Sequence, residues 1–230
     1  DVYRKKVQQE LAIYEKQPNV HDLPGIYHYW SNKYLAPLFL NAGFSTIAEF
    51  FSSNLLLAGR RTHASMASFV SIGAGNCDVE VTVAKNLVNA GLDHFTLECL
   101  EINPVMLNRG KEIAKENGVL KYMRFVEADF NTWVPSKYYD GIMANQSLHH
   151  VMQLEHLFDQ VKNALHENGS FVINDMVGRN GHQRWPEAFE IVNKFWKELP
   201  ESKKINVLLN RLKKEYDNWD CSKEGFEGIR

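Results

Sequence analysis

Two glycines, one downstream carboxylate and a few histidines are the residues whose types and spacing point to chemistry. Gly73-Ala74-Gly75 follows the short apolar run Ser68-Phe69-Val70-Ser71-Ile72. Without a Cβ the chain turns sharply there and a ligand can approach the backbone. Phe69, Val70 and Ile72 read as a buried strand. Val79 to Ala90, with Val81, Val83, Ala84, Leu87 and Val88 on one side, reads as an amphipathic helix. Strand, glycine turn and helix form the first half of a nucleotide-binding βαβ unit. Phe95 to Ile102 is the next strand, and Glu101 at its end suits both ribose hydroxyls of an adenosine lying over the turn. A dinucleotide site wants a third glycine three residues after the second, where a helix N-terminus meets the pyrophosphate. Asp78 stands at that position. Its charge argues against NAD or FAD and for an adenosine ligand without phosphates.

With Ala128-Asp129 after the third strand and Asn145-Gln146-Ser147-Leu148-His149-His150-Val151 after the fourth, this pattern resembles the class I S-adenosylmethionine-dependent methyltransferases. The resemblance covers roughly Ser68 to Val177. It implies S-adenosyl-L-methionine as cofactor, held by Gly73, Ala74, Gly75, Glu101, Ile102, Met106, Ala128, Asp129, Phe130, Asn145 and Gln146. Within that set it places Ala128 and Asp129 on the adenine amino group. Three positions depart from the family pattern. Ser71 stands where an acid is usual, two residues before the first glycine, and Cys77 replaces the third motif glycine. Glu101 lies 28 residues past Gly73, against the usual spacing of about 20. The function implied is methyl transfer to an O, N or C atom of a small molecule. A domain that holds S-adenosylmethionine without turnover, or a regulatory subunit, is the alternative that Ser71 and Cys77 keep open; a nucleotide-dependent oxidoreductase is disfavoured by Asp78.

Histidine titrates near neutrality, so His149, His150 and His182 are the candidate bases. His149 and His150 open the segment after the fourth strand, where one faces the cleft and the other the core. His150 and His182 are the expected catalytic pair. The histidines lack a paired-ligand spacing with a nearby acid, so no metal is expected. A charge of −2 over 230 residues gives no bulk argument for nucleic acid. No apolar run approaches the roughly 18 residues of a membrane span. Cys77, Cys99 and Cys221 are odd in number and lack Cys-x-x-Cys spacing, which reads as free thiols in a reducing cytoplasm. The oligomeric state is not legible.

The elements that must position these residues alternate strand and helix, which argues an α/β fold: a doubly wound, Rossmann-like, mostly parallel sheet with helices on both faces. Residues 1–66 read as an N-terminal helical lid, 67–177 as the cofactor-binding core, and 178–230 as an acceptor loop with a helical C-terminal part. Within the lid, Ile26 to Leu35 is rich in aromatic residues and either packs on the sheet edge or covers the site. Thr46 and Glu49 have capping-box spacing, and Gly59-Arg60-Arg61 reads as the end of that helix. Asn103-Pro104 is a helix start, with the stop at Gly118. Strand five is expected over Phe171 to Val177, after a turn at Asn168-Gly169. Helices are expected over Glu187 to Leu199 and Ile205 to Tyr216. The acceptor is expected between Tyr29 and Trp30 on one side and Arg179, Arg184 and Trp185 on the other. Because no strand pair is evident after Val177, strand five would be a bare apolar edge. The expectation is therefore a chain clipped before its last strands, whose natural form continues past Arg230.

Overall fold

The computed structural model describes residues 3–5, 7–8, 11–12, 25–63, 65–179, 183–206 and 211–218. The chain divides into two compact units, Asp1–Asp175 and Met176–Arg230. In the first, α1 (Gly25–Trp30), a stretch of wider π turns (Ser31–Leu35), α2 (Ala36–Asn41) and α3 (Ile47–Thr62) precede β1 (Ala67–Ile72). Then come α4 (Asp78–Asn89), β2 (Phe95–Glu101), α5 (Pro104–Glu116), β3 (Met123–Glu127), β4 (Tyr139–Asn145), α6 (Leu154–Ala164) and β5 (Leu165–Asn174).

The five strands form one parallel sheet in the order β3-β2-β1-β4-β5. The order reverses direction between β1 and β4, so the carboxyl ends of these two strands open the crevice where such sheets bind ligands. Side chains alternate across the sheet with a period of two. Ala67 and Phe69 of β1 and Leu97 and Cys99 of β2 point into one core, packed by α3 through Phe51 and Leu55 and by α4 through Val81, Ala84 and Leu87. Val70, Ile72 and Leu100 point into the other, packed by α6 through Leu157 and Val161. Helices on both faces and a parallel sheet are the expected doubly wound architecture.

Local chemistry explains the boundaries. Thr46 is the N-cap of α3, its Oγ1 accepting the Glu49 amide at 3.0 Å. The Glu49 carboxylate returns to the Ser45 amide at 2.8 Å rather than to the cap residue. Gly59 does not end this helix, which runs on to Thr62. A Cβ at Gly59 would lie 3.1 Å from the Phe69 ring and 3.3 Å from the Ala67 Cβ, so the glycine lets α3 approach β1. Asn103 caps α5, accepting the Val105 and Met106 amides at 3.0 and 3.4 Å.

Two expectations are corrected. The strand expected over Phe171 to Val177 starts earlier, at Leu165, and ends at Asn174. Its register against β4 jumps from Tyr139↔Leu165 to Gly141↔Ser170, so Asn168-Gly169 forms an irregularity inside the strand and not a turn before it. In the second unit, α7 (Pro186–Glu198) is the expected helix. The helix expected over Ile205 to Tyr216 does not form; Ile205–Asn206 (β6) pairs antiparallel with Arg211–Leu212 (β7). The chain after β7 lies against α7, where the Trp196 indole donates to the Lys214 carbonyl at 3.2 Å and the Tyr216 ring sits 5.2 Å from Trp196. A helix would have committed that carbonyl to its own ladder.

Candidate active site

The glycine turn sits at the end of β1. The Gly73 and Ala74 amides both donate to the Leu100 carbonyl at 2.9 Å, tying the turn to β2. Gly73 has φ +72° and Gly75 φ +55°, conformations that glycine adopts without penalty. A Cβ on Gly73 would lie 2.4 Å from the Ser147 Cβ, so this glycine is required by the close approach of the segment leaving β4. Ser147 donates from Oγ to the Ile72 carbonyl at 2.6 Å. Cys77 also has a left-handed backbone, φ 60°, and its sulfur occupies the space that a Cβ on Gly110 would fill at 2.7 Å. The thiol is thus accommodated by a glycine on the facing helix.

Glu101 is buried at the carboxyl end of β2. One carboxylate oxygen accepts the Gly75 amide and the other the Asn103 amide, each at 3.0 Å. Burial raises its pKa; these amides, and His150 as a nearby positive charge, oppose that rise. The Ile102 amide also stabilises the carboxylate. Beside it the Asn103 Nδ2 is buried with no hydrogen-bond partner among the described residues. An anionic acceptor next to an unspent amide donor suits hydroxyl groups, which donate and accept at once. The donor set therefore fits the ribose of an adenosine cofactor. Met106 is buried under the turn, its Cε 3.3 Å from where a Gly75 Cβ would be.

The loop after β3 supplies a second acid. Asp129 accepts the Asn131 amide at 3.0 Å and the Asn131 Nδ2 at 3.1 Å on one oxygen. Its other oxygen accepts the Tyr3 hydroxyl, and Asn131 Nδ2 also donates to that hydroxyl at 3.0 Å. Burial and Asp129 raise the Tyr3 pKa, so the phenol stays protonated as the donor. Ala128 is pinned to β2 by its amide, which donates to the Glu101 carbonyl at 3.0 Å. Phe130 is buried in the second core, 3.6 Å from where a Gly73 Cβ would stand. Ile102 is half-buried beside Glu101. Gln146 is exposed with φ 52°, its amide donating to the Asn174 carbonyl at 2.8 Å, and Asn145 accepts the Asn174 side chain at 2.8 Å.

Of the histidines, His150 is close enough for its charge to act on Glu101. His149 instead meets Asp175, Nδ1 to Oδ1 2.7 Å, and Asp175 also accepts the Leu148 amide at 2.7 Å. The two imidazoles lie 4.3 Å apart. His182 lies outside the described residues. Tyr29 and Trp30 are exposed on α1, with Lys33 donating to the Tyr29 hydroxyl at 3.1 Å and the Trp30 ring 6.3 Å from Tyr34. In the second unit Arg179 donates to the Arg184 carbonyl at 3.2 Å and lies 6.0 Å from the Trp185 ring, while the Arg184 amide donates to Asn218 at 2.7 Å. Among the described residues no group of three His, Cys, Asp or Glu is placed to hold a metal ion. No described helix is long and apolar enough to cross a membrane.

Sequence reasoning missed Asn103 as a donor and Asp175 as the partner of His149. Asn103 was visible only as a helix cap, although its place two residues after Glu101 was a usable signal.

Residues 65–222 match the family described as a methyltransferase domain. The chain belongs to this family. The cofactor of such a domain is S-adenosylmethionine, which the fit at Glu101 and Asn103 supports. No curated protein matches the sequence. Among solved structures, the chain is similar to the N-methyltransferase NodS from Bradyrhizobium japonicum in complex with S-adenosylhomocysteine, at 13% identity over 73% of this chain and 72% of that one, TM-score 0.47. It is also similar to a protein assigned as a sarcosine dimethylglycine methyltransferase from Galdieria sulphuraria, at 22% identity over 56% of this chain and 44% of that one, TM-score 0.46. A methyltransferase from Clostridium acetobutylicum matches at 15% identity over 63% and 56%, TM-score 0.44. The chain thus spans about half the length of several structures it resembles.

Proposed function

We propose that this methyltransferase transfers its methyl group to an O, N or C atom of a small molecule. The observation that carries the cofactor side is the Glu101 carboxylate, clasped by the Gly75 and Asn103 amides beside the unspent Asn103 Nδ2. S-adenosylmethionine, when bound, supplies a methyl group already activated by its sulfonium. The chain's own residues then have to bind, orient and exclude water. Gly73, Ala74, Gly75 and Met106 shape the floor, Glu101 holds the ribose, and Ala128, Asp129 and Phe130 take the adenine side. Asn145 and Gln146 line the exit of β4. His150 is the proposed base, because it lies within electrostatic reach of Glu101; His182 is the second candidate. Tyr29 and Trp30, and separately Arg179, Arg184 and Trp185, are the proposed acceptor contacts. The small-molecule class is supported by a net charge of −2, which offers no bulk attraction to a polyanion.

The test is a screen of fractionated extracts with methyl-labelled donor. Label in acid-soluble material is the expected result, and label confined to precipitated protein or nucleic acid overturns the acceptor class. With an acceptor in hand, His150→Ala should lower turnover by roughly 10²–10⁴-fold while product affinity is kept.

A further inference from the structure

Glu80 is a charged residue on the apolar side of α4, in line with Val83, Ala84 and Leu87 at helical spacing, and it is buried. Its Oε1 accepts the Ser71 hydroxyl at 2.7 Å. Ser71 is fully buried in β1, between Cys99 of β2 and Met143 of β4. The pair therefore closes the base of the cofactor turn, with Ser71 just before Gly73 and Glu80 just after Cys77. A buried carboxylate with so few donors costs free energy, and this one is kept under the turn that meets the cofactor.

The charged groups acting on Glu80 are Asp78 on its own helix and Glu101 on β2, both acids. The neutral thiols Cys77 and Cys99 lie beside it. Where α3 meets α4 the contact is Ser52 with Asn86, which carry no charge, and α5 faces Cys77 with Gly110. Two acids, Glu80 below and Glu101 beside, thus flank one turn.

We propose that Glu80, stapled to Ser71, is a positioning residue that makes the turn prefer the positively charged methyl donor over the uncharged thioether product. The inference rests on the cofactor assignment above. The donor carries a permanent positive charge at sulfur, one carbon from the ribose ring that Glu101 holds; the product lacks it. A buried carboxylate beneath the same turn is stabilised by that charge and gains nothing comparable from the product. Burial pushes the Glu80 pKa up to about 7, with the Ser71 hydrogen bond opposing the rise. The donor pulls the pKa back down, so donor binding expels a proton near neutrality. Donor affinity then rises as pH rises towards 7, and product affinity follows it less.

The experiment is calorimetric binding of S-adenosylmethionine and S-adenosylhomocysteine between pH 6 and 7.5, with thermal melts to check folding. In the parent the donor-to-product affinity ratio should rise by about fivefold over this range. Glu80→Gln, which keeps an acceptor for Ser71, should flatten the rise and lower the ratio at pH 7.5. Ser71→Ala should move the same rise to higher pH, because the carboxylate loses the donor that favours its charged form. A flat ratio in the parent, or an unchanged rise in Glu80→Gln, overturns the proposal. If neither compound binds the parent, the cofactor assignment fails instead, a result distinct from both.

Discussion

Glu101 has the Gly75, Asn103 and Ile102 amides acting on it before any ligand arrives, so the carboxylate is already oriented. On the proposed ribose contact, Glu101→Ala removes a charged acceptor from two hydroxyl groups, and it leaves the Gly75 amide without its partner. Product affinity should fall by a few kcal/mol, on the order of a hundredfold or more, measured by calorimetry; unchanged affinity would remove the ribose assignment. Glu80 makes a second, cofactor-free prediction. Its pKa rises from the ordinary 4.5 to about 7 on folding, so between these values the folded state holds a proton that the unfolded state has lost. Its contribution to stability is complete below about pH 4.5 and is lost as pH rises through about 7, by up to about 3 kcal/mol. Denaturant titrations of the parent and Glu80→Gln at pH 5 and pH 8 should show the variant gaining relative to the parent at the higher pH. A difference that does not change with pH would place the Glu80 carboxylate in a wetter setting than its burial indicates.

At the scale of elements, the turn depends on a close approach between segments. Gly73→Ala would put a Cβ 2.4 Å from that of Ser147 at a φ of +72°, and should destabilise the first unit by at least about 2 kcal/mol in chemical denaturation. Thr46→Ala should cost α3 about 1 kcal/mol through the lost cap, checked the same way. The two features differ in how they were legible. Thr46 and Glu49 announce a helix start by local spacing alone, as Asn103-Pro104 does. The glycines announced a turn, but Gly73 was read as room for a ligand when its nearest neighbour is Ser147, 74 residues on. Glu80 carried a usable signal, an acid on an apolar stripe; Ser71 looked like a lost acid because its partner lies across the turn. Asp175 could not be matched to His149 from spacing, since the pairing arises only when β4 and β5 lie side by side. β6 and β7 escaped because two-residue strands have no periodicity to read.

For the whole molecule, the parallel sheet was legible because apolar runs alternate with helical segments, and a parallel sheet demands such crossovers; the order β3-β2-β1-β4-β5 was not. What composition and periodicity could not supply is which distant side chains meet around the crevice. Among the described residues, the links from Tyr3 to Asp129 and Asn131 reach far along the chain, spanning 126 and 128 positions. On a ribosome adding about 5–20 residues each second, Tyr3 waits roughly ten seconds for Asp129 to be made, while β1 and β2 emerge and acquire helices. The N-terminal helical turn is therefore a late arrival on a sheet already assembling, held at this corner by Asp129 and Asn131. Its timing matters more than its strength: a chaperone that holds the segment around Tyr3 can leave the sheet intact and still keep the Asp129–Asn131 corner from reaching its final shape.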